Sequence, residues 1–559
     1  MRFQSWSVAF TLLTLGCATQ PTGPVQLRLL AFNDFHGNIQ SAEPSPGRVP
    51  IVKDGKAEMV DAGGAAYFAS LVTQERAGHP NNMLISAGDL TGASPMLSAL
   101  LNDEPTIRVM NRIGLDLNAV GNHEFDYGRA ELIRKSIGDC QTRLFCPDDS
   151  FMGAAFQYMA ANVVDTNGGK PLFAPYVVKE FDGVKIAFIG VVTSETPTIV
   201  AAHGIAGLTF LDEAETLNRY AAELTQQGVR AIVAVLHEGS SVTTETAIDG
   251  SACTGLTGAL NDIVARTDPA IDLFISGHTH ESYACKLNGR LVTQAGNYGR
   301  MLSVIDLSLD RAAGEATVVS ARNVPVLRDL PPDANILAEL QRAEVATAPI
   351  RQQKVATLSA ALTRKPNAAG ESPLGDIIAD AQLAATQGLG ARIAFTNPGG
   401  IRQDLPSDST KGDPTKGLAV SLGDLFAVQP FGNNLVAMDV TGAQLQLLLE
   451  QQWVGQPEDR KPRILQISAG FSYCYDDARA EGEKILAETM RLEGKVIDPN
   501  TTYRIAVNNF LAGGGDRFVI LKEGRHVVQG GGDLEAFRDY VAGATKPFPA
   551  VSAGRICRK

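Results

Sequence analysis

Five short segments of this sequence place aspartate, asparagine and histidine directly after apolar runs that are typical of strands. In chain order they are Asn33-Asp34-Phe35-His36, Gly88-Asp89, Gly121-Asn122-His123-Glu124-Phe125-Asp126, His237-Glu238 and Gly277-His278-Thr279-His280. They contain five of the eight histidines of the chain. Carboxylate, amide and imidazole groups are the ligands that borderline divalent cations such as zinc and manganese bind. The residue types and their placement therefore indicate a metal site.

Each of these motifs is weak when it stands alone. An Asp-x-His pair is typical of a surface contact, and a Gly-Asn-His-Glu run is typical of a turn. In open α/β sheets, however, ligands bind beyond the carboxyl ends of the strands. Because all five motifs occur in one chain, each after a strand, a shared metal site is favoured over five unrelated structural contacts.

Three segments of the C-terminal half combine glycine with residues suited to a phosphorylated, aromatic ligand. Residues 396–402 contain two glycines and Arg402, a side chain that binds phosphate in bidentate fashion where glycine lets the backbone approach. Alone, this segment is typical of a turn with a solvated arginine. Residues 429–433 and 508–516 each place a phenylalanine beside glycine and asparagine, where an aromatic core residue is not expected. Together the three segments favour a ligand site.

The motifs resemble those of the calcineurin-like metallophosphoesterases, specifically the 5′-nucleotidase branch. The signature of that family runs D-x-H, GD, GNHE/D, H and GHxH, and all five parts are present. The resemblance covers essentially the whole mature chain. It implies an α/β fold, namely a four-layer metallophosphoesterase sandwich followed by a smaller α/β 5′-nucleotidase C-terminal domain, with a linker helix between them.

The resemblance also implies two divalent ions, zinc or manganese. The ligands implied for the first ion are Asp34, His36, Asp89 and His280. The ligands implied for the second are Asp89, Asn122, His237 and His278. A carboxylate shared in this way, Asp89, holds two ions about 3.5–4 Å apart, a spacing that suits in-line displacement at phosphorus.

His123 follows the implied ligand Asn122, so we expect it to face the phosphoryl group. There it would stabilise developing charge or protonate the leaving oxygen. Asp126 would hold that imidazole in one tautomer and keep it charged. The competing interpretation of His123 is a structural histidine behind the metal ligands. Glu124 is assigned to loop structure.

For the substrate, the resemblance implies a base sandwiched between Phe431 and Phe510. Arg402 would bind phosphate and Asp516 the ribose hydroxyls, with Asn397 nearby. Stacking on aromatic rings is insensitive to base identity, so we expect broad base tolerance. Residues 367–375 depart from the family pattern because they lack its second phosphate-binding arginine, for which Arg364 is the nearest substitute.

The elements that must position these residues alternate between apolar strands and helical spacing, which predicts an α/β layered domain over 25–325. The predicted strands are Val25–Phe32, Met83–Ala87, Leu117–Val120, Ile186–Val192, Ala231–Leu236 and Ile271–Ile275, and the helices are 64–77 and 211–227. A linker helix is predicted within 326–351. Asp333 begins it, Ile336, Leu340 and Ala343 line one side, and Pro349 ends it. Residues 352–548 have their own strands and helices and predict a second domain.

Residues 1–17 predict an export signal. Arg2 precedes an apolar run that is too short to span a bilayer. The run ends in Leu15-Gly16-Cys17, which resembles the cleavage box of bacterial lipoproteins and predicts lipidation of Cys17. The protein would then be anchored to a membrane through Cys17, in the periplasm or at the cell surface. An ordinary cleaved signal with an incidental cysteine is the alternative.

Six further cysteines remain, an even number that implies disulfides in an exported chain. They allow fifteen pairings. Proximity favours Cys140–Cys146 and Cys253–Cys285, which leaves Cys474–Cys557. A zinc knuckle is the competing interpretation, but the sequence contains no CxxC pair.

The composition is that of a globular chain, with 44% hydrophobic and 20% charged residues and a net charge of −12. Because there is no Lys/Arg-rich block, non-specific binding to a nucleic acid polymer is not expected. The predicted function is hydrolysis of nucleoside 5′-monophosphates. The alternatives are cleavage of UDP-sugars, NAD or 2′,3′-cyclic nucleotides at the same site, and a catalytically silent nucleotide-binding surface protein.

Overall fold

The computed structural model describes residues 23–40, 47–53, 56–138, 151–242, 251–406, 412–413, 417–456, 462–544, 547–549 and 553–559. Within these ranges no helix is long and apolar enough to cross a membrane. Cys17, Cys140 and Cys146 lie outside the described residues, so their predicted lipidation and pairing stay predictions. The disulfides predicted for Cys253–Cys285 and Cys474–Cys557 are both present and confirm those pairings.

Two six-stranded sheets form the centre of the N-terminal region. The first has the order Ala316–Pro325, Met301–Leu309, Val25–Phe32, Asn82–Ser86, Leu117–Ala119 and Gln157–Met159. The second has the order Ser282–Leu287, Arg290–Ala295, Leu273–Ser276, Ala231–His237, Val184–Val192 and Tyr176–Phe181. Each sheet contains four consecutive parallel strands with antiparallel strands at its margin.

The two sheets pack face to face, and helices cover both outer faces. Leu27 and Leu29 of the first sheet share one core with Phe188 and Val233 of the second. Because side chains alternate along a strand, Leu30 points instead into the outer core of the first sheet. The helices of this region are Ala65–Arg76, Met96–Ala99, Glu104–Ile113, Arg129–Ile137, Thr196–Ile199, Glu213–Gln226 and Ala259–Arg266. This arrangement confirms the predicted four-layer α/β sandwich.

A long helix, Ala334–Arg351, follows the first region where the linker is predicted. Its N-cap is Asp333, whose side chain accepts two backbone N–H groups, and Ile336 and Ala343 pack into the outer core of the first sheet. The helix does not end at Pro349, as the sequence predicts, but two residues later. A proline this close to the end removes only one donor from the final turn, so the helix continues past it.

The C-terminal region contains a five-stranded mixed sheet with the order Gln466–Ile467, Ile393–Thr396, Thr502–Asn508, Asn434–Thr441 and Arg525–Gly532. Smaller sheets combine Lys354–Leu358, Gly417–Ser421 and Gly412–Asp413, and Lys495–Val496, Arg491–Leu492, Phe471–Tyr475 and Ile556–Arg558. The helices are Pro373–Thr386, Leu422–Val428, Gly442–Glu450, Asn509–Ala512 and Asp533–Gly543. The predicted smaller α/β domain is therefore present, with a core of its own around Phe395 and Ile505.

Candidate active site

The predicted metal ligands lie on loops at the carboxyl ends of neighbouring parallel strands. Asp34 and His36 follow Val25–Phe32, and Asp89 follows the adjacent strand Asn82–Ser86. In the second sheet, His237 ends one strand, and the Gly277–His280 loop follows the strand beside it. All seven predicted ligands are thereby brought to one edge of the sandwich, as the strand-end motifs predict: Asp34, His36, Asp89, Asn122, His237, His278 and His280.

Five of these seven residues have a left-handed backbone, with φ between 47° and 74°: Asp34, His36, Asp89, His278 and His280. This conformation costs free energy in a residue other than glycine and persists only where the surroundings enforce it. Gly88, which precedes Asp89, contributes to these surroundings. Its φ is 90°, and a larger residue would place a Cβ only 2.6 Å from Nδ1 of His237, so glycine allows the close packing. The backbone is bent so that the side chains converge.

The side chains form two groups whose nitrogen and oxygen atoms lie within 4.8 Å of one another. One group is Asp34, His36 and His280, and the other is Asp89, His237 and His278. A third set, His36, Asp89 and His123, meets the same distance and joins the two. Oδ2 of Asp89 lies 3.1 Å from Nε2 of His237 and 3.6 Å from Nε2 of His36. Asp89 is thus placed between the groups, where a bridging ligand must be.

Hydrogen bonds made by Nδ1 orient two of the imidazole rings, so that Nε2 points toward these groups. The Nδ1–H of His36 donates to the Gly92 carbonyl over 2.9 Å, and that of His237 donates to the Ala87 carbonyl over 2.7 Å. A carbonyl oxygen only accepts, so Nδ1 of each ring carries a proton, and Nε2 faces inward. Nε2 of His36 lies 3.2 Å from Nε2 of His280, an approach that a cation between them would stabilise.

The charge states of His36 and Asp34 also fit divalent cations. Burial lowers the pKa of His36 well below its usual value, which keeps the ring in the neutral form that binds metal. Burial acts to raise the pKa of Asp34, but the nearby His280 and His237 outweigh it and lower the pKa to about 2. Oδ1 of Asp34 is fully buried, and Nε2 of His280 lies 3.2 Å from it. These residues fit a dimetal centre.

His123 and Asp126 form a dyad beside this centre. Nδ1 of His123 lies 2.9 Å from Oδ2 of Asp126, which also accepts the backbone N–H of Ala93. Burial acts to lower the pKa of His123, but the carboxylates of Asp126 and Asp89 raise it overall. A ring held in this way is poised to donate a proton or a hydrogen bond.

Glu124 lies between the two dyad residues in sequence, and it connects their loop to the loop that carries Asp89. Its buried carboxylate accepts backbone N–H groups from Asp89, Leu90, Thr91 and Gly121 over 2.7–3.2 Å. These contacts agree with the assignment of Glu124 to loop structure.

A cavity of about 450 Å³ lies between the two regions of the chain and reaches the predicted metal ligands. It is lined on one side by Asn122, His123, Asp126 and His278. All five predicted substrate residues line the other side: Asn397, Arg402, Phe431, Phe510 and Asp516. The remaining ligands, Asp34, His36, Asp89, His237 and His280, lie behind the cavity wall.

The aromatic residues connect the two sides of this cavity. The ring of Phe431 stacks on His123, with centroids 5.8 Å apart and planes 21° apart. The guanidinium carbon of Arg402 lies 5.8 Å from the centre of the same ring. Phe510 needs a glycine beside it, because a Cβ on Gly515 would lie 2.5 Å from the ring. The cavity therefore holds aromatic, cationic and imidazole groups within one small volume.

Asp516 is held by a residue that sequence reasoning missed. Nη1 of Arg463 donates to Oδ1 of Asp516 over 2.6 Å, and Nδ2 of Asn397 donates to Oδ2 over 2.7 Å. Arg463 lines the cavity but belongs to no glycine-rich motif, so no sequence signal singled it out. His203 also lines the cavity, on a loop that carries no ligand pattern.

Arg364 does not take the place of the arginine that residues 367–375 lack. Its Nη1 donates to the carbonyls of Ile401 and Arg402, over 2.8 and 2.9 Å. It lines a different cavity, on the far side of that loop. The expectation that Arg364 contacts phosphate is therefore not supported, because its guanidinium is used to shape the loop that presents Arg402.

Comparison with known proteins agrees with this geometry. The profile of the calcineurin-like phosphoesterases matches residues 27–282, and that of the 5′-nucleotidase C-terminal domain matches residues 349–523. Endonuclease YhcR of Bacillus subtilis is 32% identical over 96% of this chain, which spans 41% of the length of YhcR. Cell wall protein Lmo0130 of Listeria monocytogenes is 32% identical over 98% of this chain, and the match covers 72% of the length of Lmo0130.

Among solved structures, a 5′-nucleotidase precursor from Thermus thermophilus superimposes with a TM-score of 0.75 and 27% identity. The match covers 96% of this chain and 99% of that protein. The phosphoesterase profile and this solved structure agree with the candidate metal-binding clusters described above. The chain therefore belongs to the 5′-nucleotidase family of calcineurin-like phosphoesterases and is a metal-dependent phosphoester hydrolase.

Proposed function

We propose that the protein is an exported 5′-nucleotidase that hydrolyses nucleoside 5′-monophosphates to nucleoside and phosphate. The observation that carries this proposal is the cavity that joins His123 to Phe431, Phe510 and Asp516. A nucleotide has the same order of groups, with phosphate at one end and ribose and base at the other. The chemistry of the cavity lining therefore supports a mononucleotide as the ligand.

In this proposal two ions, zinc or manganese, would be held by the seven predicted ligands, with Asp89 belonging to both ligand sets. When bound, they neutralise phosphoryl charge and lower the pKa of the attacking water. The residues of the chain do the rest. Arg402 binds and orients the phosphate, while His123 donates to the phosphoryl group or to the leaving oxygen.

The base and ribose provide binding energy far from the reacting phosphorus. Phe431 and Phe510 stack against the base, and the carboxylate of Asp516 accepts from the ribose hydroxyls. Because Asp516 is already fixed by Arg463 and Asn397, it needs little reorganisation on binding. This remote binding energy is used to hold the phosphoryl group in position for attack.

A substrate panel tests the proposal. Purified protein is incubated with AMP, UDP-glucose, NAD, a 2′,3′-cyclic nucleotide and single-stranded DNA, each with and without EDTA. We expect AMP to be hydrolysed fastest, and EDTA to abolish the reaction. Preference for another substrate would reassign the specificity, and the DNA arm tests the activity named for the relative YhcR. Binding of AMP without turnover of any substrate would indicate a silent nucleotide-binding protein.

Phe510→Ala is expected to lower kcat/KM for AMP by roughly tenfold to a hundredfold. This loss corresponds to the binding free energy of about 1–3 kcal/mol that one base gains by stacking on an aromatic ring. Hydrolysis of p-nitrophenyl phosphate, which has no nucleobase, should fall much less. Phe181→Ala removes a partly buried phenylalanine from an edge strand of the other domain and serves as the matched control. An equal loss with both substrates would mean that Phe510 supports structure, and the base-clamp assignment of Phe431 would fail with it.

Cys17→Ser tests the export proposal. If Cys17 carries lipid, the wild-type protein should sediment with membranes, and the variant should be released or left unprocessed. The intact mass of the mature N-terminus gives an independent measurement. An unmodified terminus downstream of Cys17 would instead mean a freely diffusing exported enzyme.

A further inference from the structure

A fully buried lysine lies behind the dyad and has no part in the proposed reaction. Lys135 belongs to the helix Arg129–Ile137 and has 0% exposed surface. Its Nζ donates to Oγ1 of Thr91 over 3.1 Å and lies 3.8 Å from Oδ2 of Asp103, which is also fully buried. Burying an ammonium group costs free energy unless its partners are well placed. The contacts that Lys135 makes therefore indicate its role.

Its partners hold one short segment, residues 91–93. Thr91 accepts from Lys135 through its side chain, and the backbone N–H of Gly92 donates to Oδ2 of Asp103 over 3.2 Å. The lysine and its counter-charge thus hold two adjacent residues of the segment.

The same segment also contacts one predicted metal ligand and the carboxylate of the dyad. The Gly92 carbonyl accepts from Nδ1 of His36 over 2.9 Å. The N–H of Ala93 donates to Oδ2 of Asp126 over 3.0 Å. The orientation of one predicted metal ligand and of the dyad carboxylate therefore depends on where residues 91–93 lie.

The backbone of the segment requires such support. Gly92 and Ala93 have φ of 89° and 47°, and Asp103 has φ of 60°. Left-handed conformations at residues other than glycine persist only where surrounding contacts enforce them. A Cβ on Gly92 would also lie 2.9 Å from Oδ2 of Asp126 and collide with the His123 carbonyl, so the segment packs directly against the dyad.

We propose that Lys135 is a positioning residue, which acts through Thr91 and Asp103 to fix residues 91–93 and hence the side chains of His36 and Asp126. The proposal rests on the roles proposed above for His36 and Asp126. It does not depend on the nucleotide substrate, because p-nitrophenyl phosphate reports the same centre.

A matched pair of variants at Thr91 tests the link. Thr91→Val removes the hydroxyl and keeps the shape, whereas Thr91→Ser keeps the hydroxyl. We expect Thr91→Val to weaken Mn²⁺ binding to the metal-stripped protein and to lower kcat. The loss should approach about 10–100-fold, the range for losing a group that directly orients a metal ligand, if the shift of residues 91–93 displaces the Gly92 carbonyl from His36. KM for p-nitrophenyl phosphate should not change, and Thr91→Ser should recover most of the loss.

Lys135→Met completes a double-mutant cycle. If both residues act through one hydrogen bond, Thr91→Val should add little to the loss caused by Lys135→Met. Lys185→Met, at an exposed position of a distant strand, is the control for loss of a lysine. The proposal is overturned if Thr91→Val lowers only the melting temperature and leaves Mn²⁺ affinity and kcat within about twofold of Thr91→Ser. If Lys135→Met does not fold, the pair at Thr91 still decides the outcome. Failure to hydrolyse AMP alone would count against the proposed function and not against this link.

Discussion

Asp89→Asn is expected to abolish turnover and to remove both ions from the purified protein. Oδ2 of Asp89 faces a histidine of each group, with His237 at 3.1 Å and His36 at 3.6 Å. The substitution keeps the shape of the side chain but removes its negative charge from between the two groups. The ions supply several kcal/mol of charge stabilisation, so a fall in kcat on the order of 10³-fold or more should follow.

Asp34→Asn is the matched control, because Asp34 belongs to one group only. It should lower the metal content toward one ion per chain, whereas Asp89→Asn should lower it toward none. Metal analysis of both purified variants, with circular dichroism to check folding, makes the comparison. Two ions at full occupancy in Asp89→Asn, or the same single ion as in Asp34→Asn, would contradict the bridging assignment.

The ligand cluster could be predicted from the sequence because its signal is local. Each ligand stands directly after a strand whose apolar residues are evident, and parallel strands bring their carboxyl ends to one edge. The alternation of Leu29 and Leu30 between two cores likewise follows from the pleat of a doubly buried strand. The left-handed backbones at His36 and Asp89 could not be predicted, because only a few per cent of residues other than glycine adopt them, even though Asp and His do so more often than most.

Residues that act through tertiary contacts gave no such signal. Lys135 stands in a charged stretch of an amphipathic helix, where a lysine is ordinarily solvated, and only the packing of that helix on residues 91–93 buries it. In the sequence Arg463 is an isolated arginine. It lies beside Asp516 because the strand that follows it, Gln466–Ile467, pairs with Ile393–Thr396 in the sheet. Arg364 shows the converse error, since closeness in sequence to a phosphate-binding stretch did not place its guanidinium in the cavity.

His123→Ala is expected to retain both ions and to lower kcat by on the order of 10²–10⁴-fold, the range for loss of one acid–base group. The ring lines the cavity, and its Nδ1 is committed to Asp126 at 2.9 Å, which leaves Nε2 for the substrate. A nitrogen of His123 also lies within 4.8 Å of ligand atoms of His36 and Asp89, so a ligand role is the competing interpretation. Metal content separates the two, because loss of an ion would make His123 a ligand.

The leaving group then distinguishes the two catalytic roles of His123. The alkoxide released from AMP needs a proton, whereas p-nitrophenolate is stable without one. If His123 protonates the leaving oxygen, His123→Ala should slow AMP hydrolysis far more than p-nitrophenyl phosphate hydrolysis. If it stabilises charge on the phosphoryl oxygens, both substrates should slow alike. Asp126→Asn should follow the same pattern with a smaller loss, because the ring keeps its place but loses the carboxylate that raises its pKa.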